Sequence, residues 1–119
     1  MTQEKDLKEL LLKDLCARLL YGVKVNDREE IITIRAYHPS GIMDVLGIMH
    51  SIENIKPYLF PMSSMTEEQE RELTSITYSN NDDVTIALFT IDWLNKNHFD
   101  YRGLIDKGLA IDATGLGIY

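Results

Sequence analysis

Ile55-Lys56-Pro57-Tyr58-Leu59-Phe60-Pro61-Met62-Ser63-Ser64-Met65-Thr66-Glu67-Glu68-Gln69-Glu70-Arg71-Glu72-Leu73-Thr74-Ser75-Ile76 changes character three times. It opens as an apolar segment that Pro57 and Pro61 hold extended, because each proline pushes its predecessor toward β or polyproline II geometry. Ser63 and Ser64 form a small polar link. Thr66-Glu67-Glu68-Gln69 then has the S/T-x-x-E/Q form of a capping box, which starts a helix. The chain before this stretch reads mostly as strands, and the chain after it reads as helices.

Working back from the stretch, residues 3–20 read as a helix. Leu7, Leu10, Leu11 and Leu15 fall on one face, Leu12 and Leu20 widen it, and Thr2 is placed to cap it. So wide a Leu-rich face suits the following sheet, and it also suits pairing with a second copy. Residues 22–61 read as a β-meander. Val23 and Val25 alternate around Lys24, and residues 26–30 are a polar turn. Residues 31–37 are the clearest strand, with Ile32, Ile34 and Ala36 on one face and Ile31, Thr33, Arg35 and Tyr37 on the other. His38-Pro39-Ser40-Gly41 is a turn, and residues 42–48 are a third strand interrupted by Gly47. Turns this short make antiparallel pairs. Residues 56–61 are expected along the sheet edge, where prolines are tolerated, closing it much as small SH3-like barrels close.

Working forward, residues 66–108 form a helical layer. The capped helix runs to about Tyr78 with Leu73 and Ile76 inward. The next helix, about 83–97, starts at Asp82 and is apolar on two faces: Val84, Ala87, Leu88, Ile91 and Leu94 on one, Ile86, Phe89 and Trp93 on the other. That pattern predicts a core helix covered on two sides. Residues 109–119 are expected to be a loose tail. The fold class is α+β: one domain with an N-terminal helix, a sheet of three or four antiparallel strands, then two or three helices.

The 119 residues are 45% hydrophobic and 26% charged, as in a globular protein. Net charge is −7, with eight basic against nine acidic residues over 1–56 and four against ten over 57–119. Such acidity disfavours nucleic-acid binding. No apolar run is long enough for a membrane span, no signal region is visible, and Cys16 stands alone, so the expected location is cytoplasmic.

Little catalytic chemistry is encoded. Cys16, His98 and Asp100 have the residue types of a nucleophile, a base and an orienter, but Cys16 sits in a Leu-rich helix where a thiol is usually inert packing. His38, His50 and His98 lack metal-ligand spacing. Asp82, Asp83 and the glutamates of 67–72 lack the order of a calcium loop and suit helix starts. No phosphate-binding or dinucleotide fingerprint is present, so no cofactor is expected. Tyr101-Arg102-Gly103 is the most distinctive polar cluster. Arg102 suits a structural ion pair with Asp100, Asp106 or an acid of the capped helix, and it equally suits an anionic partner. Tyr58 and Phe60 suit either a core or a partner surface.

Several of these segments carry a resemblance. Lys56-Pro57-Tyr58-Leu59-x-Pro61-Met62-Ser63-Ser64-Met65-Thr66-Glu67-Glu68, Asp92-Trp93-Leu94-Asn95, His98-x-Asp100-Tyr101-Arg102-Gly103-Leu104-Ile105, Gly108-Leu109-Ala110, and Lys13-Asp14-Leu15-Cys16-Ala17-Arg18-Leu19 with Tyr21-Gly22-Val23 resemble a group of small uncharacterised proteins common in Bacteroides, especially in phage and mobile-element regions. Phe60 stands where the group's pattern has Arg, and Leu20 where it has Pro. The resemblance implies a setting and no activity. The sequence thus predicts a non-enzymatic accessory protein acting through protein contacts, with Tyr58, Phe60, Tyr101 and Arg102 as candidate interaction residues. The alternatives are a nucleic-acid-binding regulator using Lys24, Arg28 and Arg35 on the sheet, and, least favoured, a small Cys-dependent enzyme.

Overall fold

A computed structural model describes residues 2–119, and the expected cap, the Thr2 side chain, lies outside the described part. The elements in order are α1 (Thr2–Ala17), β1 (Lys24–Asp27), β2 (Glu30–His38), β3 (Gly41–Asp44), β4 (Met49–His50), β5 (Ile55–Pro61), α2 (Glu67–Ser79), α3 (Asp83–Lys96), β6 (Phe99–Asp100) and β7 (Ile111–Asp112). The α+β class and the N-terminal helix stand. Among the described residues the sheet has seven strands, where the sequence suggests three or four.

The meander is present from β1 to β4. β1 and β2 pair antiparallel with Asp27 opposite Glu30. The two residues between them, Arg28 and Glu29, have φ of 51° and 75°. This is the left-handed pair that a tight hairpin requires, built without the usual Asn-Gly. β2 alternates as read: Ile34 is buried, Ile32 and Ala36 are half-buried, and Ile31, Arg35 and Tyr37 face out. The expected strand over 42–48 is two short strands instead. Asp44 breaks it by folding its carboxylate over the turn, where Oδ1 accepts from the amides of Leu46 (2.8 Å) and Ile48 (3.0 Å).

β5 is not an edge. The strand order is β4-β3-β2-β1-β5-β6, with β7 also on β5. This is an open path with β4 and β6 at its ends, in place of an SH3-like closure. β1 pairs with β5 over 55–57, and the parallel strands β7 and β6 pair with it over 58–61. Partners change along the strand, so each stretch is locally one-sided and accommodates a proline as an edge does. Parallel pairing needs a long crossover. Here α2 and α3 supply it, as a helical hairpin inserted between β5 and β6.

Both helix starts in that hairpin follow local chemistry. Thr66 Oγ1 accepts from the Gln69 amide (3.1 Å) while the Thr66 amide donates to Gln69 Oε1 (2.9 Å), completing the capping box. Asp82 Oδ2 accepts from the amide and the hydroxyl of Thr85, both at 2.9 Å. The tail is held, contrary to expectation. Ala110 and Ala113 are buried, and the Tyr119 hydroxyl accepts from the Lys24 amide (2.9 Å) and donates to the Tyr58 carbonyl (2.8 Å).

The core lies between α1 and the sheet, around Leu11, Leu15, Val25, Ile34, Ile55 and Leu59. α1 ends at Ala17, three residues short of the expected 3–20, a separate single turn (Leu19–Tyr21) follows, and Gly22 leaves that turn at φ 65°. A buried charged pair anchors the end of α1. Arg18 is 0% exposed and so is Asp14. Arg18 Nε donates to Asp14 Oδ2 (2.8 Å), and Nη2 donates to Asp14 Oδ1 (3.2 Å) and to the Phe99 carbonyl (2.6 Å). A single helix turn separates the two residues, so α1 carries its own counter-ion to the C-terminal part of the fold. Replacing one partner strands the other charge in the interior, which costs about 3–5 kcal/mol. Urea unfolding of Arg18→Ala is expected to show a loss of that order, and Asp14→Ala with Arg18→Ala together is expected to cost less than the sum of the two.

Candidate functional site

The polar cluster flagged in the sequence assembles around this pair. The β6 residue Asp100 is buried, and its carboxylate accepts from the amides of Leu104 and Ile105, both at 2.9 Å. This turns the chain so that Tyr101 and Arg102 lie against α1. Arg102 reaches neither Asp100 nor Asp106 nor the capped helix; its Nε lies 3.3 Å from Asp14 Oδ1. The guanidinium carbons of Arg18 and Arg102 each lie 5.2 Å from the Tyr101 ring centroid, and the Tyr101 hydroxyl donates to Asn95 Oδ1 (2.8 Å). Two cations on one ring and one carboxylate between them form an internal joint between α1, α3 and the segment after β6.

Tyr58 is buried, and its hydroxyl accepts from Asn26 Nδ2 (3.0 Å). Phe60 is half-buried and packs on Phe99 and Tyr119, with centroids 6.2 and 5.9 Å away. Phe60 thus belongs to a ring cluster. Leu20 is 90% exposed.

His98 enters β6 at φ 63° and stacks on Tyr119 with centroids 3.6 Å apart. Burial, reinforced by the charges of Arg18 and Lys24, pushes the His98 imidazole down to about 4. Burial likewise pushes the Tyr119 hydroxyl up to about 12. His98 is therefore a neutral packing group. Cys16 is exposed, not buried as the Leu-rich sequence suggested, because one residue step turns it about 100° away from Leu15. Burial of the thiol's surroundings still pushes its pKa up, opposite to what an activated nucleophile needs. The nucleophile, base and orienter are not brought together: His98 and Asp100 are buried, and Cys16 faces out.

A second polar cluster was not foreseen. His50 places Nδ1 on the Asp27 carboxylate and Nε2 on Asp44 Oδ2 (2.8 Å). A neutral imidazole has one N–H, so donating to two carboxylates requires the imidazolium. Burial works against that charge, but the hydrogen bonds and charges of Asp44 and Asp27 outweigh it and raise the His50 pKa. Hydrogen bonding to His50 holds the Asp44 carboxyl below its usual range. The cluster clamps the Val45-Leu46-Gly47-Ile48 turn, whose three apolar side chains are exposed, onto the β1–β2 hairpin.

The basic residues of the sheet do not gather. Lys24 Nζ donates to the Ile118 carbonyl (3.1 Å), Arg28 sits in the tight turn 4.0 Å from Asp27, and Arg35 is exposed on the outer face of β2.

The largest departure concerns α3. It is not a core helix. Ile86, Thr90 and Trp93 are half-buried, Trp93 stacking on Phe99 of β6 with centroids 5.6 Å apart, and only Leu94 and Asn95 of the helix are buried, at the end nearest the sheet. Val84 is 66% exposed, Leu88 60% and Ile91 44%, with Phe89 and Tyr78 open beside them. Periodicity identified the stripe correctly but carried no information about what covers it.

No family model, curated protein or solved structure matches this chain. No helix among the described residues is long and apolar enough to cross a membrane.

The two histidines give opposite pH dependences. The raised His50 pKa contributes stability that is full below the unfolded value of about 6.5 and is lost as pH rises through the folded value. The lowered His98 pKa contributes stability that is full above about 6.5 and is lost as pH falls toward about 4. Urea midpoints measured against pH are expected to show both slopes. His50→Asn should remove the alkaline one and weaken the acid one only in part, because Asp44 then loses the partner that lowers its carboxyl while His98 keeps its own contribution.

Proposed function

We propose that this is a non-enzymatic accessory protein of a phage or mobile element that works in the cytoplasm through protein–protein contact. One observation carries the reading: α3 presents an uncharged apolar stripe, Val84, Ala87, Leu88 and Ile91, to solvent. Large apolar patches of this kind on a folded protein mark interaction sites. The phage setting comes from the sequence resemblance. The docking role moves to α3 from Tyr58, Phe60, Tyr101 and Arg102, whose side chains are engaged within the fold. A nucleic-acid role has less support, because Lys24 is tied to Ile118 and the other cations of the sheet are dispersed. A Cys-dependent enzyme has less still, given the raised thiol pKa of Cys16.

The test is affinity capture from the host with tagged wild-type protein and a tagged Leu88→Asp variant, scoring untagged copies of this chain as well as other proteins. Truncating or charging an anchor of this kind weakens binding by more than about tenfold. A protein retained by the wild type and lost from the variant, with equal far-UV circular dichroism, is the expected result. Identical capture profiles would refute the docking role.

A further inference from the structure

We infer that His50 is a proton-operated latch: the imidazolium holds the Val45-Leu46-Gly47-Ile48 turn on the β1–β2 hairpin, and loss of its proton lets the turn go. The ring lies between two carboxylates from different parts of the sheet. Asp27 ends β1, Asp44 ends β3, and His50 itself ends β4. Nδ1 faces Asp27 Oδ2, and Nε2 lies 2.8 Å from Asp44 Oδ2. All three side chains are enclosed: His50 is 9% exposed, Asp27 13% and Asp44 3%. Each bond needs an N–H on the ring, so the two exist together only in the imidazolium.

A neutral ring must give up one of them, and the two carboxylates differ in what else supports them. Asp44 Oδ1 keeps the amides of Leu46 and Ile48. Asp27 Oδ1 is buried without a hydrogen-bond partner among the described residues, and Arg28 Nε stands 4.0 Å from it on an exposed side chain. Stripping the last donor from an enclosed carboxylate is the costlier outcome, so the remaining N–H stays at Nδ1 on Asp27. Nε2 then turns a lone pair toward Asp44 Oδ2, and two acceptors at that distance repel. Asp44 swings away. The turn follows, because the other oxygen of the same carboxylate holds its amides.

The opening is local. The Val45 amide stays on the Thr33 carbonyl (3.0 Å), and β3 and β4 remain paired through Met43 and Met49. What is freed is a tip with Leu46 at its most exposed point. Asp27 and Asp44 are the charged groups that act on His50, with Arg28 behind Asp27, and their attraction favours the proton against burial. The latch is therefore closed on the acid side and opens as pH rises. It operates independently of the α3 stripe.

NMR of the nitrogen-labelled full chain, from about pH 5.5 to about pH 9, spans the titration of a histidine and tests the inference. The imidazole nitrogen shifts are expected to report an imidazolium at the acid end and an Nδ1–H ring at the alkaline end. Hydrogen exchange at the Leu46 and Ile48 amides, corrected for its intrinsic pH dependence, is expected to accelerate about tenfold or more with the same midpoint, as loss of a charge-assisted hydrogen bond implies. Low urea is expected to leave that exchange unchanged, the mark of a local opening, while it speeds exchange in the β1–β2 ladder. In His50→Gln the turn should stop following pH. In Asp27→Asn the introduced carboxamide can donate to Nδ1 while Nε2–H stays on Asp44, so the turn should remain latched when the ring is neutral. Four results overturn the inference: a ring already neutral at the acid end, turn amides indifferent to the ring's titration, a change that urea shows to be global unfolding, or a wild-type profile in Asp27→Asn. The wild-type protein alone decides the first three, so a variant that fails to fold leaves the test intact.

Discussion

The Arg18 guanidinium has no contact with solvent, and the packing of α1 depends on that fact. Removing such a group from water is costly unless the surrounding structure supplies both a counter-ion and acceptors. Asp14 supplies the first from one helical turn away. The Phe99 carbonyl supplies an acceptor from a strand eighty-one residues further along the chain. Arg102 adds a second cation to the same carboxylate, and the Tyr101 ring lies beside both. The N-terminal helix and the C-terminal segment therefore share one electrostatic joint. Apolar packing brings α1 onto the sheet, and the joint sets where along the sheet it stops.

The same joint explains why the helical hairpin is free to project. Asn95 and Tyr101 tie the sheet-proximal end of α3 into the cluster, and Leu94 is buried beside them. Beyond that end α3 packs along α2. The hairpin is a crossover between the parallel strands β5 and β6, and the sheet uses its two ends rather than its faces. The stripe left open is a consequence of topology, since the core between α1 and the sheet is already filled.

Local chemistry was legible in the sequence, and assembly was not. The Thr66 capping box, the Asp82 cap and the alternation of β2 were readable because each depends on residues within one turn or one strand. The Asp14–Arg18 pair carried a usable signal: an acid and a base four residues apart on the same face as Leu11 and Leu15. The prolines of β5 misled because a strand can change partners along its length. β6 and β7 are two residues each, too short for any period. α3 reads as a core helix because an apolar stripe looks the same whether its cover lies in the same chain or in another.

The strand order has a consequence for how copies of this protein meet. A sheet usually recruits further strands through a long free edge, where unpaired amides and carbonyls act as a template. Both ends of this sheet are stubs: β4 contributes two residues and β6 contributes two. Neither offers enough backbone to seed the stacking that leads to fibres. Short edge strands of this kind give little backbone for strand addition, in a molecule that leaves Leu46, Val84 and Leu88 exposed.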